Sequence, residues 1–129
     1  MLLIKILRMK TYREIIAWQK AMDLVTDIYK NTEIFPDKEK YGLTNQMRRA
    51  SVSIPSNIAE GFGRNSLQEF IRFLNIAKGS LFELQTQLEI SLNLAFTSPE
   101  VHAALDQQIE EVGKLLNGLV KSLKNKLQN

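Results

Sequence analysis

Four glutamates, Glu60, Glu69, Glu83 and Glu89, and the pair Glu100-x-His102 are the residues of this 129-residue chain best suited to chemistry. Converging carboxylates do general acid–base work. A glutamate with a histidine three residues on sets two metal ligands on one helix face, as in di-iron bundles. Glu100 and His102 are two apart, so a helix would point them in different directions. His102 is the single histidine and there are no cysteines. That removes multi-histidine and thiolate metal sites, disulfides and cysteine nucleophiles together. Residues 61–66, GFGRNS, lack the spacing and the lysine of a phosphate-binding loop and follow no strand. The glutamates read as caps and surface charges, and His102 as a surface histidine in the first turn of a helix. No catalytic residue, metal ligand or cofactor is expected, and the chain reads as a non-enzyme.

The cations permit another chemistry, attraction of a polyanion. Seventeen Lys and Arg against fourteen Asp and Glu give a formal charge of +3, which allows such a partner without demanding one. Distribution says more. Lys10, Arg13, Arg64, Arg72, Lys121, Lys124 and Lys126 fall on segments that an antiparallel bundle gathers at one end, with Lys5 and Arg8 just upstream. Glu14, Glu60 and Glu69 oppose them there. Glu33, Asp37, Glu39, Glu100, Asp106, Glu110 and Glu111 collect at the other end, offset by Lys38, Lys40, Arg48 and Arg49. Lysines at the end of the last helix also complement its dipole, but Arg64 and Arg72 sit beside a helix start, where the dipole disfavours them. Aromatic and basic residues are not interleaved as a base-stacking surface requires. Binding would therefore be weak and sequence-independent, and confined to the phosphate backbone.

Helices must position these groups. Residues 12–34 carry Ile15, Trp18, Met22, Val25 and Tyr29 in steps of 3 and 4, flanked by Ala21, Leu24 and Ile28. Pro36 and Gly42 then punctuate a loop. The second helix starts at Leu43 or Thr44, shows Leu43, Met47, Ala50, Ile54 and Ile58, and ends at GFG, where Gly61 or Gly63 suits a left-handed cap. Ser66-x-x-Glu69 reads as a capping box for a third helix ending near Ala95, seamed by Leu67, Phe70, Leu74, Ala77, Leu81, Leu84, Leu88 and Leu92. Ser98-Pro99 opens the fourth, with Val101, Leu105, Ile109, Val112, Leu116, Leu119 and Leu123. No segment alternates with period two. The expectation is an all-α, antiparallel up-down-up-down four-helix bundle over residues 11–127. Residues 1–10 read as a flexible leader, too short and too charged to span a membrane, with Met9 as an alternative start. Ile16 and Leu24 in the first helix, and Ile71, Phe73, Ile76 and Phe82 in the third, widen the apolar surface beyond one seam, which points to association.

Pro55 stands inside the second helix, in RRASVSIPSNIAEGFGR. It deprives the Ser51 carbonyl of its partner, at a cost of about 3 kcal/mol unless the groups are re-satisfied. Ser51, Ser53 and Ser56 are placed to help. A kink is expected, with a break capped by Ser53 as the alternative. Arg49, Ser53, Ser56 and Glu60 also form one polar stripe, read either as a solvated face or as a network at an interface.

The stretch FPDKEKYGLTNQMRRASVSIPSNIAEGFGR resembles the signature of the four-helix-bundle proteins encoded in intervening sequences of bacterial 23S ribosomal RNA genes. AWQKAMDLVTDIYKNT, EFIRFLNIAKGSLFELQTQL and LLNGLVKSLK extend the likeness over residues 11–124. Gln85 departs from it, standing where the resemblance leads one to expect glutamate. The resemblance implies a closed homopentameric ring, no enzymatic activity, and kinship with basic accessory proteins of diversity-generating retroelements, which work with a reverse transcriptase and nucleic acid. Two functions then compete: an oligomeric accessory protein that binds RNA or DNA backbone through the basic end, and a homo-oligomeric protein–protein adaptor with no direct nucleic-acid role. The absence of cysteine fits the cytoplasm.

Overall fold

The structure, a computed structural model, describes Ile6 and residues 8–128. Most of the expected leader, residues 1–5 and 7, lies outside the described residues. Within its described part Ile6 is buried and Met9 packs against the core. Four helices follow: α1 (Ile16–Thr32), α2 (Leu43–Phe62), α3 (Leu67–Asn93) and α4 (Pro99–Gln128). No strand occurs among the described residues, and the fold is an all-α helix bundle.

Side chains fix most helix ends. Residues 12–14, placed by sequence in the first helix, form a separate 3-10 turn. Thr11 caps it and Glu14 reaches back, a capping box that the sequence reading did not single out. Gly42 has no side chain to cap α2, and Glu39 Oε1 accepts from the Leu43 amide instead (3.1 Å). Arg48 closes the end of α1, donating to the Tyr29 carbonyl (3.3 Å) and to Thr32 Oγ1 (2.9 Å). Ser66 accepts from the Glu69 amide. The Glu69 carboxylate turns to Arg72 rather than back to the cap, so the expected box is half made. Ser98 caps α4 through the Val101 amide.

The left-handed caps expected at Gly61 or Gly63 do not form: Gly63 has φ −77° and no glycine has positive φ. That conformation belongs to Ala95, at φ 60°. There Phe96 N–H donates to the Ser91 carbonyl (2.9 Å) and Ala95 N–H to Leu92 (3.0 Å), the bond pair of a Schellman stop. Gly61 serves packing. A Cβ on it would stand 2.7 Å from the Phe73 Cβ, so a glycine is what lets α2 approach α3 this closely.

Each helix contacts its neighbours in the order α1–α2–α3–α4–α1. Ser53 Oγ meets Ser80 Oγ at 2.8 Å, and Gly61 lies against Phe73. Gln85 Nε2 donates to Asp106 (3.0 Å) and Glu110 (2.8 Å), and His102 pairs with Glu89 (3.0 Å). Gln108 donates to Asp27 (2.9 Å), and Lys20 pairs with Glu111 (3.5 Å). On each seam residue numbers rise along one helix as they fall along the other.

The seams read for α2, α3 and α4 line the core, with Leu67, Leu92 and Val101 half-buried at the ends. The α1 seam is displaced by one position. Its core face is Ala17, Ala21, Leu24, Ile28 and Thr32, while Met22 and Tyr29 are exposed and Trp18 and Val25 only half-buried. Of the residues expected outside the seams, Leu24, Ile71 and Phe73 are buried, whereas Ile16, Ile76 and Phe82 are exposed. α2 is continuous through Pro55, which removes the alternative of a break capped by Ser53.

Candidate nucleic-acid interface at the basic end

Apolar packing assembles one end of the bundle from three chain segments. Ile6, Met9, Ile15 and Ile16 enclose a small cleft with Leu115 and Leu119 of α4. Tyr12 packs edge-on to Trp18 (5.2 Å), and both line a groove with Ala59 of α2. Phe62 stands edge-on to Phe70 (6.1 Å) across the α2–α3 turn. The start of α1, the α2–α3 turn and the last turns of α4 therefore lie together, and the seven basic candidates come with them.

The three carboxylates of this end are all engaged within the chain. Glu14 Oε2 accepts from the Lys10 and Thr11 amides (2.7 and 3.2 Å). Glu60 pairs with Arg64 at 2.9 Å. Glu69 holds Arg72 through two bonds, 2.9 and 3.2 Å. That bidentate contact keeps the Glu69 carboxyl below the usual carboxylate range and raises Arg72. Arg64 and Arg72 also cover the buried Phe73 ring, at 4.9 and 4.6 Å, so these two arginines are committed to structure.

Lys10, Arg13, Lys121, Lys124 and Lys126 remain, with Arg8 beside them. All are exposed, and among the described residues no carboxylate lies within ion-pairing distance of them. Arg13 stacks over Tyr12 at 5.1 Å, a contact with no sequence signal beyond adjacency.

The polar stripe of α2 divides. Arg49 and Ser56 are exposed and Glu60 serves Arg64, while Ser53 alone turns inward to Ser80. His102 is half-buried against Glu89 rather than freely exposed. Among the described residues no group of three or more His, Asp or Glu side chains is placed to hold a metal ion, and no helix is long and apolar enough to cross a membrane.

No curated protein matches the chain. A solved structure is similar in fold: a protein of unknown function from the S23 ribosomal protein family of Bacteroides thetaiotaomicron. It aligns with a TM-score of 0.76 and 23% identity, over 82% of this chain and 96% of that one. The profile of the family described as 23S rRNA-intervening sequence protein matches residues 13–118, from Arg13 through the proline-bearing α2 and most of α4. With that span covering most of the bundle, the chain belongs to the 23S rRNA-intervening sequence protein family.

Proposed function

We propose that the chain is a non-enzymatic, cytoplasmic, homo-oligomeric accessory protein that binds nucleic-acid backbone weakly and without sequence preference through its basic end. One observation carries this reading. Every carboxylate at that end is spent on a cap or on an arginine, which leaves Arg8, Lys10, Arg13, Lys121, Lys124 and Lys126 facing solvent unopposed. Lysines and arginines in that state are what phosphates replace counterions on. The resemblance favours five copies, which would multiply the patch.

Fluorescence anisotropy with labelled duplex RNA at low salt tests it. Charge reversal of Lys121, Lys124 and Lys126 should weaken binding of unrelated sequences equally. Absence of binding at low salt, where such contacts are least screened, would leave the second reading, a protein–protein adaptor. That reading draws on the apolar surface that α1, α2 and α3 leave open.

A further inference from the structure

Two apolar surfaces of this bundle have no partner within the chain. The first is a groove between α1 and α2, of about 360 Å³, lined by Tyr12, Trp18, Met22, Val25, Val52 and Pro55. Met22 and Val52 are each about 40% exposed. The second runs along the outer face of α3, where Ile76, Phe82, Ile90 and Leu94 are exposed, Phe82 to 60%. Gly79 lies on that face between Ile76 and Phe82, and a Cβ there would meet nothing within 4 Å. Steps of three and four keep these residues in one stripe, turned away from the α3 core residues Leu74, Ala77, Leu81, Leu84 and Leu88. A helix apolar on both sides is normally covered on both sides.

We infer that the outer stripe of α3 in one copy packs into the α1–α2 groove of the next, so that the interface between copies joins two different surfaces. This rests on the homo-oligomeric part of the function proposed above and is independent of nucleic acid. One surface is concave and the other is a ridge with a projecting phenylalanine. Charge fits as well: the exposed Arg49 on α2 lies within a turn of Val52, and the exposed Glu83 on α3 adjoins Phe82. Among the described residues neither is in an ion pair. The self-complementary alternative, groove on groove, would leave the α3 stripe in water. In the order α1–α2–α3–α4 the α1–α2 face and the α3 corner are not diametrically opposed. Each contact therefore turns the chain of copies, and such head-to-tail contacts close into a ring when the rotation allows.

Val52→Glu spoils the groove and Phe82→Glu spoils the ridge, and both replace exposed residues, so helicity by circular dichroism should stay at the wild-type level. In light scattering behind size exclusion the wild type should be a multi-chain species and each variant a monomer. A mixture of the two variants at high micromolar concentration should form a two-chain species, because each variant retains the half the other has lost. A monomeric wild type would overturn the homo-oligomeric reading itself. An oligomeric wild type with either variant still fully assembled, or a mixture that stays monomeric, would overturn this interface alone. Should a glutamate variant fail to fold, Val52→Cys and Phe82→Cys chains, mixed and oxidised, serve instead. The cysteine-free background makes a disulfide joining the two variants the supporting result, and its absence the opposing one.

Discussion

Two backbone positions exchange the roles that their residue types suggest. Glycine is the residue to expect at a left-handed cap, yet Ala95 holds that conformation (φ 60°), while Gly61 sits inside α2 with ordinary helical geometry. An L-residue there carries about 1 kcal/mol of strain or more. Ala95→Gly should therefore raise stability by about 0.5–1 kcal/mol, the higher backbone entropy of unfolded glycine offsetting part of the gain. A rise in the urea midpoint with an unchanged slope would show it. Gly61→Ala runs the other way. Helix propensity favours alanine by about 1 kcal/mol, but its methyl would meet Phe73 Cβ at 2.7 Å and Phe70 Cδ1 at 3.0 Å. The Phe73 Cβ is fixed to the backbone, so α3 must move, and overpacking of this kind costs about 1–3 kcal/mol. The expected result is net destabilisation, and a midpoint at or above wild type would show that the seam gives way easily. Sequence could not separate these cases, because a glycine needed for close approach and one needed for positive φ are the same letter.

The helices themselves were legible, and what misled at this scale was a surplus of apolar signal. α4 has one apolar seam, read correctly from Leu105 to Leu123. α1 has two adjacent stripes, and Trp18–Met22–Val25–Tyr29 carries the larger side chains. Periodicity weighted by size chooses that stripe, whereas the bundle buries the smaller one, Ala17–Ala21–Leu24–Ile28, because small residues let α1 sit close to its neighbours. The misplaced stripe is the wall of the open groove. Pro55 bears on the same surface. It is buried within a continuous helix, lines that groove, and leaves the Ser51 carbonyl without its i+4 donor. Ser51 Oγ is bonded to the Arg48 carbonyl (2.8 Å), and Ser53 Oγ is held by Ser80, so these hydroxyls brace the helix around the proline. Pro55→Ala restores the donor and removes the ring, so helicity should be kept while the bend expected at this position relaxes. Assembly should then fall, measured as mass by light scattering, before the circular dichroism signal does. Simultaneous loss of both would mean that Pro55 supports the fold rather than the groove.

At the scale of the whole molecule, charge placement and the open apolar surfaces make one joint prediction about salt. The candidate site was legible as a location, since the topology alone gathers Lys10, Arg13, Arg64, Arg72 and the α4 lysines. Its composition was not, because the engagement of Arg64 with Glu60 and of Arg72 with Glu69 is a matter of side-chain geometry. With those two arginines withdrawn, a single chain presents a small set of free cations and can neutralise only about two or three phosphates, each contributing about −0.9 to the slope of log affinity against log salt on duplex DNA. A ring places equivalent ends at equivalent positions, so a strand lying across neighbouring copies meets several sets at once. Wild-type protein should therefore show a slope steeper than about −3. Phe82→Glu removes no cation of the basic end, but by the interface argued above it abolishes assembly. Its slope should fall to the single-chain value, with much lower affinity for every sequence alike. Charge reversal of Lys121, Lys124 and Lys126 should flatten the slope while leaving the mass of the assembly unchanged. An assembled wild type and a monomeric Phe82→Glu variant with the same slope would mean that one bundle end binds alone, and that the ring contributes nothing to nucleic-acid affinity.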